Sequence, residues 1–152
     1  MAITWKIKAF DELSAHELYE IFHLRLAVFA VEQNAVYQDA DGKKDLKSHH
    51  ITGRDEQGEL VAYARIIPAG IAYEEASIGR VATSSKARGT GVGRELFKNA
   101  LQFLLQTYGN VPVRISAQSY LIKFYSGFGF KAYGEEYLED CLPHTGMLRE
   151  AQ

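Results

Sequence analysis

Apolar and polar residues alternate over Ile3, Trp5 and Ile7, the period of a strand with one face buried. The period then lengthens. Leu18, Ile21, Phe22, Arg25, Val28 and Phe29 recur at helical spacing, and Ser14 with Glu17 three positions on forms a capping box ahead of them. From Glu32 to Ser48 no period holds: EQNAVYQDADGKKDLKS is polar, carries turn chemistry at Asp41-Gly42, and predicts a long loop. Three β-type runs follow, HHITGRD, ELVAYARIIPA and ASIGRVAT, the first two joined by a turn around Gln57-Gly58. Val92, Leu96, Ala100 and Leu104 then step by four with Phe97 and Leu101 beside them, an amphipathic helix ending near Tyr108. VPVRISAQ reads as a strand and SYLIKFYSGFG as a short helix ended by glycine; FKAYGEEYLED and GMLRE read as a closing pair of strands.

The predicted order is β, α, three β, α, β, α, β, β. That is a mixed α/β layer structure, not a series of βαβ repeats. No repeat, low-complexity tract or Pro/Gly/Ser linker divides the 152 residues, so residues 1–152 are expected to form one domain. Lys and Arg total 17 against 19 Asp and Glu, a balance that excludes a general nucleic-acid or anionic-membrane surface and makes any basic site local. One cysteine, Cys141, allows no internal disulfide and fits a reducing, cytoplasmic compartment. No segment approaches the roughly 18 apolar residues of a membrane span.

The most informative stretch is KARGTGVGREL, residues 86 to 96, where three glycines alternate between two arginines just ahead of the long helix. First-turn amides of a helix lack intrahelical partners, and with the positive end of the helix dipole they form an anion site. Glycine lets phosphate oxygens reach those amides with no Cβ in the way. The dinucleotide fingerprint G-x-G-x-x-G fails because Arg94 stands where its third glycine belongs, and the P-loop fails because Arg94-Glu95 follows Gly93 in place of Lys-Ser/Thr.

Arg88-Gly89-Thr90-Gly91-Val92-Gly93 resembles the R-x-x-G-x-G pyrophosphate loop of the Gcn5-related N-acetyltransferase (GNAT) superfamily, with IGRVAT before it as the fourth strand. FYSGFGF resembles that family's F-Y-x-x-x-G-F element, and RISAQ its fifth strand. LRLAVFAVEQ, DADGKKDL, ISAQSYLIKFYSGFGF and YLEDCLPHTGM together are similar to the ElaA-type branch. The resemblance covers nearly the whole chain and implies an acyl-CoA N-acyltransferase fold, a mostly antiparallel sheet splayed between its fourth and fifth strands with helices on both faces. It also implies acetyl-CoA as acyl donor, direct transfer to a small amine or peptide amine, no metal, and a monomer or homodimer.

By position in that family's motifs, the main chains of Val81 and Thr83 would meet the pantetheine arm, and a backbone N–H near Ala82 the oxyanion. Gly89 to Gly93, including Thr90, Gly91 and Val92, would supply amides to the pyrophosphate, aided by Arg88 or Arg94; Gln118 and Phe124 would border the cofactor. Tyr125 would protonate the leaving thiolate, since a phenol and a thiolate are of comparable basicity. Glu32 stands as the candidate general base, beside Asp39, Asp41, Glu135, Glu139 and His144. Because the first-helix region and the last hairpin both supply carboxylates, Asp140 among them, a cationic acceptor is expected. His49 and His50, adjacent on a strand, point to opposite faces, and neither H-x-x-x-H nor C-x-x-C occurs, so no metal site is expected. A non-catalytic CoA-binding sensor is the alternative; it would need the anion loop but neither Tyr125 nor an open acceptor pocket.

Overall fold

The computed structural model describes residues 1–152. Seven strands and four helices occur in the order β1 (Thr4–Ala9), α1 (Ala15–Leu26), α2 (Lys44–Lys47), β2 (His49–Arg54), β3 (Leu60–Ile67), β4 (Ser77–Thr83), α3 (Val92–Tyr108), β5 (Val113–Gln118), α4 (Ile122–Ser126), β6 (Lys131–Glu139) and β7 (Leu142–Arg149). The capping box at α1 is formed. Glu17 N–H donates to Ser14 Oγ at 3.0 Å, and Ser14 N–H donates to the Glu17 carboxylate at 2.9 Å. The backbone amide of Ser14 and then Lys8 hold the Glu17 carboxyl down at about 2.

The chain departs from expectation in two places, at the end of the first helix and within the long loop. Chain continuing past α1 winds into a π-helical turn, Ala27–Glu32, and the short α2 follows, its first turn shaped by Asp41, whose Oδ1 accepts from the amides of Lys43 and Lys44. Neither is legible as a period because each is about one turn long. The closing hairpin is longer than GMLRE suggests: β7 begins at Leu142, and Asp140 and Cys141, both at positive φ, turn the chain between Glu139 and Leu142.

Strands β1 to β4 form one antiparallel sheet in sequence order, and β5, β7 and β6 form a second in that spatial order. The two sheets meet along β4 and β5 only at one end. Ala76 and Val113 bridge in parallel there, and the Arg114 amide donates to the Ala76 carbonyl at 3.0 Å. Arg114 and Glu75 clamp the same end through two parallel bonds of 2.7 and 2.8 Å, which hold the Glu75 carboxyl down at about 2. Beyond this clamp the strands belong to different sheets and diverge, so the splay implied by the resemblance is present.

The α3 stripe places Leu96, Phe97, Ala100, Leu101 and Leu104 against Ile51, Val61, Ala64, Ile66 and Ile78, in a core that continues into Val113, Ile115, Phe130 and Met147. Each fully buried leucine contributes on the order of 2 kcal/mol. On the opposite face of the first sheet, Ile21 and Leu24 of α1 and Val28 of the π-helical turn cover Tyr63 and Ala82. His49 packs on Phe103 of α3 while His50 contacts Phe10 and Tyr63, so the two histidines do point to opposite faces.

Candidate active site

The glycine loop joins β4 to α3. Gly89 and Gly91 have φ of 78° and 85°, the left-handed region that glycine alone enters freely, and a Cβ at either would meet only open space. Gly91 caps α3 and has no side chain to offer, so the first-turn amides carry no side-chain cap. Gly93, at an ordinary φ, lies close enough to Thr83 that a Cβ would stand 3.7 Å from its Cγ2. The loop is therefore bare and open at the positive end of a 17-residue helix.

A cavity of about 620 Å³ occupies the splay. Of the residues expected at the site, Glu32, Val81, Thr83, Arg88, Gly93, Gln118, Phe124 and Tyr125 line it together. Gly89, Thr90, Gly91, Val92, Arg94 and Ala82 do not. Val92 and Ala82 bury their side chains in the core, the Thr90 hydroxyl donates to the Ala87 carbonyl, and Arg94 stacks 5.5 Å over the Phe128 ring. Arg88 donates to the Thr83 carbonyl at 2.9 Å and pairs with Glu32, so Glu32 is held as a counterion to the loop arginine. Gln118 and Gln33 exchange side-chain amide bonds at 3.2 and 3.3 Å, tying the end of β5 to the end of the π turn.

β4 carries a β-bulge: Tyr63 faces Ala82 and Arg65 faces Gly79, so Arg80 and Val81 together stand opposite Ala64. Arg80 takes φ 51°. The irregular backbone thus falls at Arg80 and Val81, immediately before Ala82, and turns β4 within the cavity wall.

Tyr125 packs its ring edge-on against Phe97 and Phe124, with centroids 5.0 and 5.1 Å away, and burial pushes its phenol well above the usual tyrosine range. The group stays protonated at any working pH.

Opposite β4, the cavity wall is polar. His144, 7% exposed, places Nδ1 2.8 Å from the Leu142 carbonyl. A carbonyl only accepts, so Nδ1 carries a proton, which in the neutral ring leaves the lone pair on Nε2, 3.5 Å from a Glu139 carboxylate oxygen. Ser116 bonds both Tyr137 and Glu139, and Tyr73 lies beside them, its phenol pushed up to about 12 first by burial and then by Tyr137 and Glu139. Sequence reasoning had His144 and Glu139 as separate base candidates; the hairpin brings them together. Glu135 is exposed on β6 and Cys141 at the hairpin turn.

Of the carboxylates expected around the acceptor, Glu32, Glu139 and Asp140 line the cavity, whereas Asp39, Asp41 and Glu135 do not. Asp39, 5% exposed, pairs with Arg25 and Arg80, and its Oδ1 accepts from the Tyr37 hydroxyl at 2.7 Å. Asp41 pairs with Arg65 at 3.1 Å. Buried Asp45 takes Nη1 of Arg25 at 2.8 Å and of Arg65 at 3.1 Å; burial alone would raise its pKa, and the two guanidiniums outweigh that and lower it. These carboxylates point inward to arginines. Arg65, Arg80 and Lys44, which line the cavity, were missed. Arg65 had a signal in the sequence, as the one charge inside the apolar run VAYARII.

No group of three or more His, Cys, Asp or Glu is placed to hold a metal ion. No helix is long and apolar enough to cross a membrane.

The family model described as "Acetyltransferase (GNAT) domain" matches residues 15–151. The protein ElaA of Escherichia coli is 44% identical over 150 residues, 97% of each chain. Its crystal structure superposes with a TM-score of 0.90 over 98% of this chain and 100% of that one. The crystal structure of an acyl-CoA N-acyltransferase from Pseudomonas aeruginosa, 41% identical, gives a TM-score of 0.91 over 97% of this chain and 99% of that one.

Proposed function

The chain belongs to the GNAT acetyltransferase family, and on that premise we propose that it transfers an acetyl group from acetyl-CoA directly to a primary amine. The single observation carrying this reading is the cavity in the splay, which Thr83, Arg88 and Gly93 line on the glycine-loop side and Tyr125 and His144 on the other. A non-catalytic CoA sensor would need only the loop.

The bare left-handed glycines and the uncapped first turn of α3 fit a pyrophosphate. Gly89 to Gly93 would donate amides to it, and Arg88 would add charge-assisted bonds when it exchanges Glu32 for phosphate oxygens. Val81 and Thr83 would carry the pantetheine arm along the free side of β4, as an added strand pairs with a sheet edge.

The chemistry then needs two proton movements. An alkylammonium has a pKa of roughly 10 and must lose a proton before it can attack. His144 Nε2 takes it, and Glu139 stabilises the imidazolium. The amine nitrogen attacks the thioester carbonyl, the C–N bond forms and the C–S bond breaks. Tyr125 gives its proton to the departing sulfur, and the second amine proton, released as the amide forms, restores the phenol. The N–H groups of the bulge, at Arg80, Val81 and Ala82, are the candidates to meet the oxyanion.

Titration calorimetry with CoA, followed by thiol-release assays over amines, amino acids and peptides with acetyl-CoA, tests the reading. Binding with release for at least one acceptor is expected. Binding without release across the panel would leave the sensor, and absence of CoA binding by the folded protein would overturn both.

A further inference from the structure

Resting on the transferase reading, we propose that the acceptor is an amino acid whose free carboxylate is held by Lys44, Arg65 and Arg80 while its amine faces Glu139 and His144. All five residues line the one cavity.

The arginine side of that cavity has more donors than the protein uses. Arg65, 3% exposed, spends Nη1 on Asp41 and Asp45, while Nε is buried without a hydrogen-bond partner and Nη2 has none either. Arg80 lies 5.2 Å over the Tyr37 ring and spends Nε and Nη2 on Asp39, leaving Nη1 free. Lys44 makes no side-chain hydrogen bond or ion pair at all, although it is partly buried. The acceptors are largely engaged, although Asp39 Oδ2 has only its ion pair with Arg25 Nε at 3.1 Å. Oδ1 of Asp39 takes three donors, Oδ1 of Asp45 takes two, and Asp41 binds Arg65 and two amides. Arg25, Arg65 and Arg80 balance Asp39, Asp41 and Asp45 in charge, so Lys44 is the surplus cation.

A partly buried, unpaired ammonium in a cavity that guanidiniums with spare N–H groups also line is costly to desolvate without an anion. A carboxylate, which accepts at two oxygens, supplies what these donors lack. The facing wall has the opposite character: Glu139 and Asp140 line it with His144, and they suit an ammonium. One side for an anion and one for a cation fit a small zwitterion. They disfavour an acceptor with a second cation, which would meet Lys44.

Binding of products separates this proposal from turnover. Ligand-observed NMR on the CoA-loaded protein would compare a pool of N-acetyl amino acids with the matching carboxamides, which keep the shape and lose the charge. At least one acid should bind about tenfold or more tighter than its amide, the loss of one charge-assisted contact. In Lys44→Gln the preference should shrink to about threefold or less, and Lys44→Arg should keep it; neither substitution removes a structural contact. Amides binding as well as acids, or a pool with no binding acid, would overturn the proposal. A binding acid with no thiol release from any amine would sink the transferase reading and leave the anion site standing.

Discussion

Replacing Arg25 with methionine should unfold the protein more readily than any surface substitution of an arginine. Arg25 is fully buried; its nitrogens lie 2.8 Å from Asp45 and 3.1 Å from Asp39, and its guanidinium sits 4.6 Å over the Phe22 ring. Methionine refills most of the volume but leaves two buried carboxylates short of a cation. Breaking a buried pair from one side costs about 3 to 5 kcal/mol. That is a large share of the roughly 5 to 15 kcal/mol a domain has. At about 2 to 4 °C per kcal/mol for this size, the melting temperature should fall by about 6 to 20 °C. Arg54 is the control. It also makes two bonds to one carboxylate, each 2.9 Å to Glu20, but at side-chain exposures of 22% and 27%, where a pair contributes about 0.2 to 1 kcal/mol. Urea unfolding followed by circular dichroism should show Arg25→Met shifting the midpoint several times further than Arg54→Met, at unchanged slope. A loss below about 1 kcal/mol for Arg25→Met would refute the reasoning, because it would mean that Asp39 and Asp45 are satisfied by Arg65, Arg80 and Tyr37 alone.

Tyr125→Phe keeps the packing on Phe97 and Phe124 and removes the proton donor, so turnover should fall ~10² to 10⁴-fold with CoA affinity unchanged; equal turnover with chemistry rate-limiting would return Tyr125 to a packing role. Gly93→Ala should weaken CoA binding by calorimetry at an unchanged melting temperature, because its methyl makes only an ordinary contact with Thr83; Gly91→Val is the poorer test, since φ 85° strains a β-branched residue even without ligand. Glu17 and Glu75 have folded pKa values of about 2 against an ordinary 4.5, so their stabilisation is complete above pH 4.5 and lost as pH falls toward 2. Urea midpoints at pH 7, 4 and 2.5 should therefore decline, and the decline should be shallower in Glu75→Gln.

What could be read from the sequence and what could not follow from the range of the interactions involved. The capping box at Ser14, the α3 stripe and the glycine loop are each written within a few residues, and each stands where the local pattern places it. The ion network is long-range: Arg25 reaches Asp39 and Asp45, and Arg80 reaches back across 41 positions to Asp39. No spacing rule connects such residues. Arg25 even reads as part of the apolar stripe of α1, correctly as to burial and silently as to why a buried guanidinium is tolerated there. Likewise Glu139 and His144 meet only because Asp140 and Cys141 turn the hairpin through two left-handed residues, which neither residue type announces.

The two sides of the cavity are built by different means, and this bears on how the activity could vary. The cofactor side is backbone: a helix start and glycines whose use depends on φ and on absent Cβ atoms, so substitutions there strain the loop or block it. The opposite side is made of side chains, Lys44, Arg65, Arg80, Ser116, Glu139 and His144, carried on elements whose packing depends on other residues. Lys44 supports nothing else in the protein, and Ser116 bonds only within the polar wall. Exchanging them would change which acceptor is held while β4, α3 and the loop between them stay as they are. A fixed donor site beside a replaceable acceptor wall is what one fold needs to host many acceptors. On the proposed reading, the specificity of this protein lies in residues contributed by α2, β3, β4, β5 and the β6–β7 hairpin, not in the glycine loop that makes the family recognisable.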